Sequence, residues 1–389
     1  MRLASRYVDK TNMIDLINRS LSTNSNLICV SRPRRSGKSC AAQMLCAYYG
    51  KGCDSHNLFA PYKIAEDNTY EEHINKYDVI YCDMTNLLGI VKAEDLLDYI
   101  KENVTEEIIS AYPSVKKGNS FDQTLINCVE VTGNKFIAVI DEWDAPIREH
   151  PEIEKDYLRF LRMLFKSSGT TARIFATAYM TGILPIKKDG SQSALSDFKE
   201  YTMVKPRIYG EYVGFTEKEV KELCNEYNVS FDQMKKWYDG YDFKDVGAVY
   251  NPNSVMQSII NNDFDSYWTE TSATESLMEY INKPYSGLNK TIAELIGGID
   301  VKVDTLGFSN DLVTFRGEDD VLTLLIHLGY LAYDSETGTA HIPNEEIKRE
   351  FQRCIRNTDN SATMQRLEES DKLFADTIEG NEEAVAAQI

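Results

Sequence analysis

Residues 26–50, NLICVSRPRRSGKSCAAQMLCAYYG, decide the fold. NLICVS is a short apolar run of the kind that fills a strand buried on both faces. CAAQMLCAYY is rich in Ala, Leu and Met and stops at Gly50, which predicts a helix. Between them, RPRRSGKS ends in Gly37, Lys38 and Ser39, the last three positions of the phosphate-loop pattern G-x-x-x-x-G-K-[ST]. The first glycine position of that pattern holds Arg32, so the strict form fails. The physical requirement is a run of backbone N–H groups curled around a phosphate at a helix N-terminus. On that reading, Arg34, Arg35, Ser36, Gly37, Lys38, Ser39 and Cys40 cradle the phosphates of ATP. Lys38 reaches the β- and γ-phosphates, and the Ser39 hydroxyl binds Mg2+. The tripeptide alone also fits a solvated basic turn. Its place between an apolar strand and a helix argues for the loop.

A second apolar run, Phe136–Ile140, ends in Asp141 and Glu142. In a parallel sheet the ligand crevice lies at the strand C-termini. Asp141 is placed there as a metal ligand, with Ser39. Glu142 is placed as the catalytic residue that orients or deprotonates an attacking water. The competing reading makes both acids helix caps before Pro146, a role for which Asp144 is the more natural residue. Thr181, after the run RIFATAYM, is a candidate polar sensor of the γ-phosphate. Thr177 is the alternative, and a threonine merely opening a turn before Gly182 is a third reading.

The wider pattern alternates strands and helices. Helices are predicted over 12–22, 94–111, 120–132 and 152–167, and strands over 26–31, 77–84, 135–141, 171–180 and 201–209. This predicts an α/β, P-loop NTPase (ASCE/AAA-like) domain over 1–228, a parallel sheet with helices on both faces. Residues 231–253, rich in aromatics, Gly and Asp, read as a loop-rich connector, and 229–317 as a connector and mostly helical region. Residues 318–358 read as helix, hairpin and helix, a winged-helix-like unit. Residues 359–389 read as an acidic tail.

The chain has 389 residues and a net charge of −19. That acidity disfavours non-specific binding along a nucleic-acid backbone, which needs clustered Lys and Arg. The eight cysteines include no C-x-x-C pair and read as buried free thiols in a reducing compartment. No signal-peptide pattern and no span of about 20 apolar residues occurs, so a cytoplasmic protein without a membrane partner is expected.

Taken in order, YVDKT (7–11), RPRRSGKS (32–39), IDEWDAPI (140–147), TGILPI (181–186), GFTEKEV (214–220), WYDGYDF (237–243), YNP (250–252), HLGYL (327–331) and IPNEEI (342–347) carry a resemblance. The chain resembles the bacterial AAA-ATPase-like family over residues 7–350. The resemblance implies that Arg32 in the loop is a family trait, whereas Ser36 departs from the family's usual Phe. It also implies a C-terminal PD-(D/E)XK nuclease-like domain, which would start near residue 370 and is expected to be absent or truncated in this sequence. Glu346-Ile347-Lys348 spells that motif's E-x-K, but 344–351 reads as a helix.

The expected function is Mg2+-dependent binding and hydrolysis of ATP by a regulatory or motor module. The alternative is an ATP-operated switch with little turnover that gates a nuclease-like or nucleic-acid-binding partner. A nucleic-acid contact through the winged-helix-like unit or the missing domain is a third expectation, and oligomer formation is compatible with all three. Arg148, Arg159, Arg162, Arg173 and Arg207 are all conceivable arginine fingers, with none singled out.

Overall fold

A computed structural model describes residues 7–166, 168–189, 192–193, 195–268, 273–310, 312 and 314–356. The acidic tail at 359–389 and the nuclease-like start near 370 lie outside the described residues. The chain forms two compact units, one reaching Phe215 and including Ser309–Thr314, the other comprising Thr216–Phe308 and the residues from Phe315 onward.

In the first unit, strands β1 (Leu27–Ser31), β2 (Asp78–Asp83), β3 (Phe136–Asp141), β4 (Phe175–Gly182) and β5 (Lys199–Tyr201) form one sheet. Their spatial order is β2-β3-β4-β1-β5, and every neighbouring pair is parallel. Every residue of β1, β3 and β4 is buried. Successive side chains of a strand face opposite sides, so each central strand feeds two cores. Cys29, Phe136, Ala138 and Met180 join a core with Ile100, Leu125, Tyr157 and Leu161 of the helices Leu96–Ala111, Phe121–Thr132 and Glu154–Phe165. Ile28, Val30, Ile137, Val139 and Tyr179 join the other core with Met13, Ile17, Leu45 and Tyr48 of the helices Asn12–Asn18 and Lys38–Tyr49. This is the α/β P-loop architecture, an open parallel sheet with helices on both faces. The strand ends Ser31, Asp83, Asp141 and Gly182 all fall on one edge.

Several element boundaries differ from the sequence reading. Ser168–Ile174 form a separate helix, and β4 begins only at Phe175. The edge strand is Lys199–Tyr201 rather than 201–209, of which Arg207–Tyr209 is a 3-10 turn. The stretch 231–253 is not a loop: it holds the helix Phe231–Tyr238 and the hairpin Tyr241–Phe243/Gly247–Tyr250. Its aromatics are buried, and burial of Trp237, Tyr238, Tyr241 and Phe243 outweighs the turn-rich composition. All eight thiols are free, and five are buried as expected; Cys40 and Cys53 are exposed.

In the second unit the recurring motifs meet. Gly240 has φ of 112°, and a Cβ there would sit 2.1 Å from the Pro343 carbonyl oxygen. Asn344 Nδ2 donates to the Asp239 carbonyl at 2.7 Å, and the Tyr241 hydroxyl donates to the Gly329 carbonyl. WYDGYDF, HLGYL and IPNEEI are thus pieces of one packing junction. YNP is a helix start, with Asn251 Oδ1 accepting from Asn253 N and Ser254 N and Pro252 in the first turn. The helix Glu318–Leu328, the strands Ala332–Asp334 and Thr339–His341 and the helix Glu345–Arg356 follow, with Val301–Lys302 pairing beside the hairpin.

Glu346 lies on the buried face of that last helix, 1% exposed. It accepts from Tyr267 N at 2.7 Å, Trp268 N at 2.8 Å and the Ser254 hydroxyl at 2.9 Å. Burial, with Glu350 one turn away, pushes its carboxyl up from 4.5 to about 7 despite those donors. A raised acid holds its proton more tightly folded than unfolded, so ionisation costs stability as pH rises from about 4.5 to about 7. Urea unfolding followed by tryptophan fluorescence should show wild type losing stability between about pH 5 and pH 8. The loss should be on the order of a few kcal/mol at most, and Glu346→Gln should lose distinctly less over the same range.

Candidate functional site

The phosphate-loop candidate links β1 to the helix Lys38–Tyr49. Gly37, at that helix's N-cap, has φ of 94°, and a Cβ there would meet open space. The left-handed backbone, rather than crowding, is what demands glycine. Arg35 is also left-handed, with φ of 62°, and the two residues curl the loop. The Ser36 hydroxyl and Lys38 Nζ both donate to the Pro33 carbonyl, each at 2.9 Å. Arg34, Arg35, Ser39 and Cys40 are exposed along the loop and the first helical turn.

Arg32, where the strict pattern has glycine, is 1% exposed. Its Nη1 donates to the carbonyls of Ser31 at 3.0 Å and Tyr201 at 3.3 Å, tying the loop's start to β5. Burial pushes the guanidinium down to about 10.

Asp141, fully buried at the end of β3, uses Oδ1 to accept from Glu142 N at 3.1 Å. Its Oδ2 is buried with no hydrogen-bond partner. Burial raises its carboxyl above the ordinary aspartate range; Ser39 and Lys38 oppose the shift, and Glu142 and Asp83 add to it. A buried carboxylate oxygen lacking a donor, beside a serine hydroxyl, is suited to a divalent cation. The chemistry of these residues fits Mg2+. Asp83, which sequence reasoning passed over, pairs with Asp141 in register at the end of β2. The signal was there: DVIYCD ends in acid as FIAVID does.

Glu142 lies beyond the strand, with φ of 49°. For a glutamate that conformation costs about 1–3 kcal/mol. The kink, rather than strand alternation, separates its side chain from that of Asp141. Glu142 Oε1 is 3.4 Å from Lys38 Nζ, and Oε2 is 3.3 Å from Arg148 Nη2.

Asp144 sits at the N-cap of the short helix Ala145–Glu149 but makes no capping hydrogen bond. Instead its carboxylate accepts from Ile183 N at 3.2 Å, Leu184 N at 2.9 Å and Arg148 Nε at 2.9 Å. The expected cap is therefore a cross-strand tie. Cap-like sequence context cannot reveal it, because the partners are 39 and 40 residues away. Gly182 is what makes room, since a Cβ there would lie 2.4 Å from Asp144 Oδ1.

Thr181 ends up at the strand-end edge, fully buried, its Oγ1 without a partner and its carbonyl accepting from Trp143 N at 3.0 Å. The alternative, Thr177, is four residues back on β4 and donates to the Asn26 carbonyl at 2.6 Å, far from the acids. Tyr7, from YVDKT, donates to Met44 Sδ at 3.2 Å on the loop's helix, and Asp9 caps the turn at Thr11. The structure thus gathers Lys38, Ser39, Asp141, Glu142 and Arg148 into one cluster, with Thr181 on the adjoining strand end.

A phosphate loop ahead of a helix, a buried acid two strands away and the order β2-β3-β4-β1-β5 define a P-loop nucleotide-binding fold of the AAA type. A family model described as "Predicted AAA-ATPase" matches residues 2–191, so the chain is similar to that family over the phosphate loop and strands β1 to β4. No curated protein matches the chain. Among solved structures, the chain is similar to the ORC2 protein of Aeropyrum pernix in its ADPNP–ADP complexes. Identity is 11%, covering 91% of this chain and 98% of that one, with a TM-score of 0.31. It is also similar to Cdc6p from Pyrobaculum aerophilum, at 13% identity over 89% and 93% with a TM-score of 0.30. A STAND ATPase with a tetratricopeptide-repeat sensor from Pyrococcus horikoshii matches at 12% identity, over 96% of this chain and 46% of that one, with a TM-score of 0.32. Likeness this distant says nothing about what the chain binds. No helix among the described residues is long and apolar enough to cross a membrane.

Lys38→Ala should weaken ATP binding by roughly 10- to 100-fold, the scale of one or two lost charged hydrogen bonds, while circular dichroism stays that of wild type. Calorimetric titration showing unchanged affinity would remove the loop from the site.

Proposed function

We propose that the chain binds Mg·ATP and hydrolyses it, acting as a regulatory or motor ATPase. The observation that carries this reading is the buried, unpartnered Asp141 Oδ2 near Ser39, with Lys38 and Glu142 in ion-pair contact next to it. On this reading the loop backbone and Lys38 bind the phosphates. Ser39 and Asp141 hold Mg2+, which when bound offsets charge on the phosphate oxygens. Glu142 accepts a proton from the attacking water, and Thr181 presents its hydroxyl to the γ-phosphate side.

One observation favours the second reading, a nucleotide-operated switch with little turnover. Both Glu142 oxygens face cations in this structure, which opposes use of the carboxylate as a base. A nuclease role through Glu346 has no support, because that carboxylate is buried and accepts from three donors of its own chain. A nucleic-acid contact through the last helix is also poorly supported. Arg349 lies over the Trp237 ring at 4.2 Å, and Arg353 pairs with Glu350 at 3.0 Å.

Glu142→Gln keeps shape and removes charge. Its ATP affinity should stay within a few-fold of wild type, and single-turnover hydrolysis should fall by roughly 100-fold, the scale of lost general-base assistance. Asp141→Asn should lose both Mg2+-dependent binding and turnover. Equal, slow hydrolysis by wild type and Glu142→Gln would favour the switch.

A further inference from the structure

The Arg148 side chain is 10% exposed and faces three carboxylates: Asp144 at 2.9 Å, Glu142 at 3.3 Å and Glu149 at 3.6 Å. It is not poised to reach out of the molecule, as an arginine serving a neighbouring subunit would be. Asp144, its firmest partner, is itself fixed by the N–H groups of Ile183 and Leu184. That backbone follows Thr181 directly and is pinned again where the Ser31 hydroxyl donates to the Leu184 carbonyl at 2.9 Å. Arg148 is therefore an anchored cation with one guanidinium nitrogen directed at Glu142.

Glu142 has two oxygens and two cationic neighbours. Lys38 is shared, since its Nζ also donates to Pro33 O, and a phosphate would compete for it. Arg148 is shared too, but with Asp144 and Glu149, which belong to the protein and are present with or without nucleotide. A carboxylate held by a fixed guanidinium is less free to turn toward water.

Resting on the ATPase reading above, we propose that Arg148 is a positioning residue that restrains Glu142, so that hydrolysis waits on its release. The restraint is coupled through Asp144 to the backbone after Thr181. Movement of that backbone, which also carries the Ser31–Leu184 contact, would draw Arg148 away from Glu142.

The test is steady-state and single-turnover hydrolysis of Mg·ATP by wild type, Arg148→Ala, Arg148→Gln, Arg148→Lys and the double variant Arg148→Ala/Glu142→Gln, with nucleotide titration of each. Arg148→Ala and Arg148→Gln should raise kcat roughly fivefold, the factor of one part-buried ion pair, with KM within twofold of wild type. Arg148→Lys, which keeps the charge, should give up most of that gain, and the double variant should lose all of it. A fall in kcat for both neutral variants would make Arg148 a contributor to the transition state and overturn the restraint. An unchanged kcat, or a gain that survives Glu142→Gln, overturns it equally. Absent nucleotide binding by wild type removes the ATPase reading and this inference with it. Intact binding with the wrong kinetics removes the inference alone.

Discussion

The Asp144 carboxylate, 1% exposed, holds the ends of β3 and β4 at a fixed separation. It takes two backbone N–H groups from beyond β4 and the guanidinium of Arg148 from its own side. A buried carboxylate with those partners missing would be costly, so the contacts are mutually required. They oblige residue 182 to be glycine and bring the backbone after Thr181 against the start of the helix Ala145–Glu149.

A sheet buried on both faces supplies the frame for that tie. Its central strands have no solvent side, so their apolar runs are continuous, and polar residues collect at the strand ends. Asp83 and Asp141, side by side at the ends of β2 and β3, form a local concentration of negative charge that Lys38 opposes.

Much of this was legible in the sequence, for identifiable reasons. β1 and β3 are short apolar runs with a glycine-led helix and an acidic pair at their ends, signals that depend on neighbouring residues only. The helix at 168–174 was missed because TARIFATAYM is rich in β-branched residues and alanine, and an apolar run of that length has no distinguishing period. The edge strand at 199–201 pairs over three residues with β1 alone, too little to mark a pattern. The aromatic stretch 231–243 reads as a loop by composition, and only its burial among HLGYL and IPNEEI orders it. Arg148 stood among five unmarked arginines because its significance lies in Asp144, whose partners are distant in the chain. The conspicuous motifs thus divide in two: some surround the phosphate loop, and others only hold the second unit together.

One feature of the path of the chain bears on how such a molecule can be dissected or inherited. Ser309–Thr314 belong to the first unit although the residues on either side belong to the second, so the backbone passes between the units three times. Asn310, left-handed with φ of 61° and buried, donates to the Ile186 carbonyl at 2.7 Å. A gene fragment ending at 215 would encode the entire sheet and yet omit a side chain that secures the segment following Thr181. The first unit is not a contiguous stretch of sequence, and recombination at that apparent boundary would not transmit it whole.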